Sequence, residues 1–309
     1  MRKFSALLAV LMVFTAFAGF VSAHTVTVDG AIEDDWTAVP DTHSPNTWQL
    51  YGDEWVWKDA TGDERTDFNN FNPDPRVDIT EFHITADDTY IYFLIKFNDL
   101  DVVGQDGAPG IMITIDTDQK SGSGETWFGY TSDTQVAQDG NANWEYQLLI
   151  DLANNQVTDG GVVHGDGIPV WNGGSPLDLV DTSWNDISSW DDTSSSGDMF
   201  VASTANDVVE VRIKKSELGN PSTIRVELGV VRAHPTGNDR ADNGVAWNIN
   251  GAPDVLDAMT TTGPNTWDEV QDGYVDYYAD VDISQVPFFS NIAVALAVAL
   301  GALLVFRRR

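Results

Sequence analysis

The feature that most constrains this chain is its period-two patterning, with no helical counterpart of any length. Residues 25–28, 77–84, 90–97, 111–115, 146–150, 208–213, 224–231 and 274–281 are dense in Val, Ile, Phe and Tyr. They alternate apolar with polar or run apolar throughout, as strands do. Turns rich in Gly, Asp, Asn, Ser and Pro separate them. No long segment repeats apolar residues at the i, i+3, i+4, i+7 spacing that buries one face of a helix. Only short helical turns are expected, at 32–36 and 215–218. A parallel β/α fold needs a helix after nearly every strand, so the pattern argues against one. It predicts an all-β fold, an antiparallel β-sandwich with long loops. The polar stretch 154–197, with its glycine pairs and Trp171, Trp184 and Trp190, is read as hairpins and a surface insertion within a single domain.

The two ends read as addresses. Arg2 and Lys3 precede an apolar run from Phe4 to Val21, and Val21-Ser22-Ala23 is a small-residue cleavage site. Residues 1–23 are therefore expected to be a signal peptide, with His24 opening the mature chain. Phe288 to Phe306 is apolar apart from Ser290 and Asn291, long enough to span a hydrocarbon core of about 30 Å. Arg307, Arg308 and Arg309 follow, and a cationic end stays cytoplasmic, which leaves the body outside. Residues 286–309 are thus either a C-terminal transmembrane anchor or a sorting signal. The segment resembles the tripartite C-terminal signals of archaeal surface proteins, in which a short Pro-Phe motif, here Pro287-Phe288-Phe289, precedes a hydrophobic span and a basic cluster. Both readings place residues 24–285 on the extracellular face of the cell membrane.

Charge then narrows the partners. Arg2, Lys3 and the three terminal arginines are five of 16 basic residues, so residues 24–285 hold 11 basic and all 48 acidic ones, a net charge of −37. Phosphate backbones would be repelled, so no nucleic acid is expected as a partner. The chain has no cysteine, which excludes disulfide staples. Of the acidic residues 38 are Asp, a poor helix former and a good turn residue and cation ligand. Two readings follow: a surface adapted to salt, or bound Ca²⁺.

Two acidic loops have the composition of cation sites. Asp59-Ala-Thr-Gly62-Asp63-Glu64 places three carboxylates around a glycine turn before a strand that Asp78 opens. Ca²⁺ takes six to eight oxygens, and a glycine lets the backbone fold around it. Asp59, Asp63, Glu64 and Asp78 are one candidate set. Asp116-Thr-Asp118 followed by Glu125 is the other; its start echoes an EF-hand, but Lys120 sits where a third ligand belongs. The alternative for both is a solvated acidic turn.

With these residues in view, the body resembles family 9 carbohydrate-binding modules and the related glucodextranase C-terminal and DOMON-like β-sandwiches. Val26-Thr-Val-Asp-Gly30-Ala-Ile-Glu-Asp-Asp-Trp36 is similar to the opening of such modules. Ala86 to Asp99, Ile113 to Asp118, Val209 to Leu218 and Arg225 to Arg232 resemble their later strands, so the likeness runs over most of His24 to Trp247. The Asp59–Glu64 loop is similar to the acidic loop of glucodextranase-type domains, with Ala60 where proline usually stands. The resemblance implies extracellular sugar binding beside Ca²⁺ sites, without catalysis.

Eleven tryptophans suit that reading, since sugars pack their C–H faces on aromatic rings. Trp36 is expected in the core, and Trp48, Trp55 and Trp57 alternate with polar neighbours. Trp127, Trp144, Trp171, Trp184 and Trp190 lie beside Gly, Asn, Asp and Ser. Trp127, Trp171 and Trp190 are the expected sugar platforms; the competing reading is ordinary core or loop packing.

No hydrolase, metalloprotease or P-loop motif occurs, and no catalytic residue is assigned. The first expectation is therefore a membrane-anchored, carbohydrate-binding surface protein with calcium-stabilised loops, taking a polysaccharide or a cell-surface glycan. The second is a structural or adhesive envelope protein that uses the sandwich for protein contacts. A third is a copper-dependent polysaccharide oxidase, with His24 offering an amine and an imidazole and a second ligand from His43, His83, His164 or His234. Haem binding through Met112 or His83 is a further rival.

Overall fold

The structure, a computed structural model, describes residues 25–32, 35–64, 75–104, 108–129, 134–152, 177–189, 196–232, 255–261 and 272–284. Among them there is no helix, and fourteen strands form. They are β1 (Thr47–Tyr51), β2 (Glu54–Lys58), β3 (Ile79–Ala86), β4 (Tyr90–Phe97), β5 (Pro109–Asp116), β6 (Gln135–Val136) and β7 (Tyr146–Asp151). β8 (Leu177–Asp181), β9 (Met199–Ser203), β10 (Val208–Lys214), β11 (Thr223–Arg232), β12 (Asp257–Ala258), β13 (Tyr274–Val275) and β14 (Ala279–Asp282) follow. Six strands make the first sheet, in the order β1-β2-β3-β4-β10-β9. Six make the second, in the order β12-β11-β5-β7-β8 with β14 also on β11. Every pairing within the two sheets is antiparallel, and β6 and β13 add a short parallel pair. The expected all-β sandwich is what the chain forms.

Register explains the core. In the first sheet Phe82 lies opposite Ile95 and Trp57, and Val211 opposite Phe93 and Phe200, so one face is built of large apolar rings and branched chains. These residues join Ile111, Ile113, Leu148, Ile150, Val226 and Leu228 of the second sheet in one continuous buried cluster. Interdigitated inner faces of this kind hold a sandwich together.

The other face of the first sheet is apolar as well, which is why β4 reads Tyr-Ile-Tyr-Phe-Leu-Ile-Lys-Phe without clean alternation. Tyr92, Leu94, Met199, Val201 and Val208 form a second cluster there with Val26, Val28 and Trp36. Residues 25–28, expected as a strand, instead lie across this face as a covering layer. Carboxylates satisfy the donors of this cover: Glu210 accepts from the backbone N–H of Asp29 at 2.8 Å and from the side-chain Trp36 Nε1 at 2.6 Å, and Asp35 accepts from the Thr27 N–H at 2.7 Å. Trp36 is buried as expected, but in this outer layer rather than between the sheets.

Two further expectations are modified. Residues 274–281 are two strands, because β13 pairs with β6 while β14 pairs with β11. Between them Asp276 accepts from the Gln138 N–H, and the Tyr278 ring lies under the Arg225 guanidinium. The turn expected at 215–218 is a single turn, closed by Leu218 N–H to the Lys215 carbonyl; of the one expected at 32–36, residues 33 and 34 lie outside the described residues, and the Trp36 N–H donates to the Ile32 carbonyl. Most of the 154–197 insertion lies outside the described residues; Leu177–Asp181 at its end is β8.

Candidate functional site

The loop leaving β2 and the residue entering β3 meet at one end of the sandwich. The Asp59 N–H donates to the Thr80 carbonyl, extending the β2–β3 ladder by one bond and fixing the carboxylate's direction. Gly62 has φ +84°, the left-handed region that glycine adopts without steric cost, and the chain reverses there. That turn aims the Gly62 N–H at both oxygens of Asp78, at 3.1 and 3.0 Å. Asn98 Nδ2 donates to Asp78 Oδ2 at 2.9 Å. The glycine turn groups Asp59, Asp63 and Glu64, and the β2–β3 pairing brings Asp78 to the same corner.

The fourth wall comes from the other sheet. Asp257, on β12, is fully buried and accepts the Ile79 N–H at 2.6 Å and the Ala258 N–H at 2.9 Å. One oxygen each from Asp59, Asp63 and Asp257 lie within 4.8 Å of one another. Asp257 was not anticipated. Its signal is a lone carboxylate within the apolar run Val255-Leu256-Asp257-Ala258-Met259, since burying an isolated charge is costly unless it has a partner.

The corner is short of positive charge. Burial pushes the Asp59 carboxyl well up, and the neighbouring Asp257 and Asp63 push it further. Burial, with Glu64 beside it, raises Asp63 to about 6. Asp78 is raised to about 7, by burial and then by Glu64, against the hydrogen bond from Gly62. Among the described residues no Lys, Arg or His pairs with Asp59, Asp63, Glu64 or Asp78. Asp59 Oδ2, Asp63 Oδ1 and Glu64 Oε2 are buried without a hydrogen-bond partner. Buried polar atoms in folded proteins are nearly always satisfied, and these oxygens have the acceptor chemistry of a hard cation's ligands. The cluster could hold a metal ion.

A second cluster stands where β5 ends. Asp116, Asp118 and Glu145 each place one oxygen within 4.8 Å of the others. Asp116 Oδ1 accepts from the Asp118 and Gln119 N–H groups at 3.1 and 2.6 Å, and Glu145 Oε2 from the Thr117 N–H at 3.0 Å. Burial raises Asp116 to about 6, with the Glu145 charge adding to the effect. The expected third member, Glu125, is elsewhere employed: its Oε1 accepts from the Thr126 N–H at 2.7 Å, and its backbone bridges Trp144. Glu145, beside Trp144, takes the place that spacing alone assigned to Glu125.

The aromatic candidates separate. Trp127 is 40% exposed, with Leu50 one of two large hydrophobic side chains that open to solvent among the described residues. Its loop is held firmly: the Trp127 carbonyl accepts from Trp144 Nε1 at 3.2 Å and Gln147 Nε2 at 2.9 Å. Trp171 and Trp190 lie outside the described residues. Trp144 is fully buried with Trp184 edge-on against it, so the polar neighbours that suggested a surface platform mark a packed loop. Trp57 is fully buried, and Trp48 and Trp55 are half-buried against the same core.

The remaining candidates have structural partners. His83 is buried between Glu54 and Glu81, His43 contacts the Thr47 carbonyl and the Tyr51 hydroxyl, and Met112 is in the core. His24, His164 and His234 lie outside the described residues, as do residues 1–23 and 286–309. No helix among the described residues is long and apolar enough to cross a membrane.

No family model, curated protein or solved structure matches this chain.

Proposed function

We propose that this protein is a non-catalytic carbohydrate-binding protein of the cell surface, tethered to the membrane by residues 286–309, whose β-sandwich is clamped by calcium. The observation that carries the clamp is the corner built by Asp59 and Asp63 from the first sheet's loop and Asp257 from the second sheet, with a buried, unsatisfied oxygen on Asp59. Oxygens on opposite sides of one Ca²⁺ stand about 4.6–5.2 Å apart, so three carboxylates within 4.8 Å fit around a single ion. The donors are all hard oxygens, which favours calcium over thiolate- or imidazole-seeking metals. An ion there neutralises charges that burial opposes, and it ties the two sheets together where the Ile79–Asp257 bond already joins them.

The carbohydrate reading is supported by Trp127. A broad indole face turned to solvent on a pinned loop stacks a sugar ring at little cost in order. The resemblance to carbohydrate-binding modules points the same way. The glycan is a polysaccharide captured from outside or the cell's own coat.

The test uses the full chain in detergent. In calcium, migration through gels containing a panel of polysaccharides is expected to be retarded by at least one of them, and Trp127→Ala should abolish the retardation. Melting with and without a chelator tests the clamp: an unchanged midpoint removes calcium from the account. Retardation by none of the glycans would instead favour the structural or adhesive reading.

A further inference from the structure

The second carboxylate cluster is a separate place from the clamp. Val230 lies opposite both Asp257 and Ile111, whereas Asp116 is the last residue of β5. Five residues along a strand is about 17 Å, too far for one ion to serve both.

Two independent observations meet here. The first is the convergence of Asp116 from the end of β5, Asp118 from the following loop and Glu145 from the residue before β7. The second is an orphan: Asp116 is 1% exposed, and its Oδ2 is buried with no hydrogen-bond partner although Oδ1 is fully used. The nearby Arg225 acts on Asp116 as a charge only, since its N–H groups are given elsewhere. Arg225 gives Nε and Nη2 to Asp280, at 2.7 and 3.0 Å, and Nη1 to the Asn141 carbonyl. Ser123 adds a neutral oxygen, its hydroxyl reaching Asp118 Oδ2 at 3.1 Å and Glu145 Oε1 at 3.4 Å.

The loop that begins at this cluster ends at Trp127. From Thr117 it turns at Gly122 and Gly124, both with positive φ, then pairs Glu125 with Trp144 and Trp127 with Gln135. A Cβ on Gly124 would fall on the Trp144 backbone, so the loop lies hard against the segment leading into β7. Glu145 is on that segment and Asp118 on the loop. An ion held by both, together with Asp116, would pin the loop at its root just as the Trp144 and Gln147 side chains pin it at its tip.

We propose that Asp116, Asp118 and Glu145 form a second site for a hard divalent cation of the calcium type, and that the ion locks residues 117–127 so that glycan binding at Trp127 depends on it. The second half rests on the reading of Trp127 as the sugar platform; the ion site does not.

The experiment is calorimetric titration of the metal-stripped full chain in detergent with calcium alone, followed by polysaccharide-gel migration at saturating calcium. Asp118→Asn is the first variant, because its side chain is exposed and folding does not hinge on it; Glu145→Gln, which keeps the shape, is the second. Each is expected to bind one equivalent of calcium fewer than the parent. Asp63→Asn should lose a different equivalent and leave this one. Polysaccharide affinity should fall by about tenfold or more in Asp118→Asn, within the usual range of coupling between linked sites. Unchanged calcium stoichiometry in both variants overturns the site. Loss of the ion with unchanged glycan affinity overturns the coupling. A parent that binds no glycan, while Asp118→Asn still loses one equivalent, upholds the ion site and removes the Trp127 reading alone.

Discussion

His83 is fully enclosed and carries two carboxylate neighbours, Glu54 at Nδ1 and Glu81 at Nε2, with Lys96 on the far side of Glu81 and the edge of Trp36 against its ring. Burial alone would lower the imidazole's pKa, but the hydrogen bonds and charges of Glu54 and Glu81 outweigh it and raise the group above its ordinary 6.5. A folded-state pKa above the unfolded value means that the folded protein binds the extra proton. The resulting stability is fully present below about 6.5 and is lost as pH rises through the folded value. The unfolding midpoint should therefore fall as pH rises above about 6.5, and His83→Gln should flatten that fall. Glu217, raised to about 8 by burial and by Asp198, contributes a fall of the same sign, so the parent-minus-variant difference isolates the histidine. A parallel pair of curves would show that His83 stays neutral. His83 lies between two acids, and its core-like position in the sequence pattern gave no hint of them.

At the scale of elements, the segment 25–36 behaves as a third layer on the sandwich. A sheet with both faces covered loses the alternation that an exposed face imposes, and β4 accordingly reads as a near-continuous apolar run, whereas β10 keeps Glu210, Arg212 and Lys214 in alternation with Val209, Val211 and Ile213. Removing the cover is expected to uncover Tyr92, Leu94, Met199, Val201 and Val208 together. A variant starting at Thr37 should bind a hydrophobic dye and associate with rising concentration on size exclusion, as exposed contiguous apolar patches do. A monomeric, dye-silent variant would mean that the sandwich closes without its cover. The hairpin of β1 and β2 was less legible than these strands. Its tryptophans sit among Gln49, Glu54, Lys58 and the apolar Val56, and Trp48, Trp55 and Trp57 all face inward across the two-residue turn at Gly52-Asp53.

For the whole molecule the question is how a body with 48 acidic and 11 basic residues stays folded. Two answers differ physically. Salt screens exposed charges over about 3 Å at 1 M, yet it reaches buried carboxylates far less. Exposed aspartates outside the two clusters, such as Asp41 and Asp88, are served by salt; Asp59 and Asp257, buried at the sheet junction, are not. Sodium chloride near 1 M should therefore raise the midpoint of the metal-free protein only in part. Calcium at about a hundredfold its dissociation constant adds about 2.7 kcal/mol, or roughly 5–10 °C for a domain of this size, even in that salt. Asp63→Asn should remove the clamp's share of the calcium increment while leaving the salt response intact. If salt alone reproduces the whole increment, the acidic excess is a surface adaptation and the clamp is dispensable.

What the chain's linear order decides is whatever depends on neighbours along it. Period-two burial marks the long strands, and the Gly62 turn with its flanking carboxylates marks one acidic corner, because a few backbone angles suffice to bring those groups together. Partners across the sheets have no such local mark. Asp257 reaches Asp59 from nearly two hundred residues away because one sheet packs on the other, and Glu145 reaches Asp116 because β7 pairs with β5 in the register that sets Tyr146 opposite Ile115. Non-local pairing is a property of the packed sheets, so only the tertiary structure could complete either carboxylate cluster.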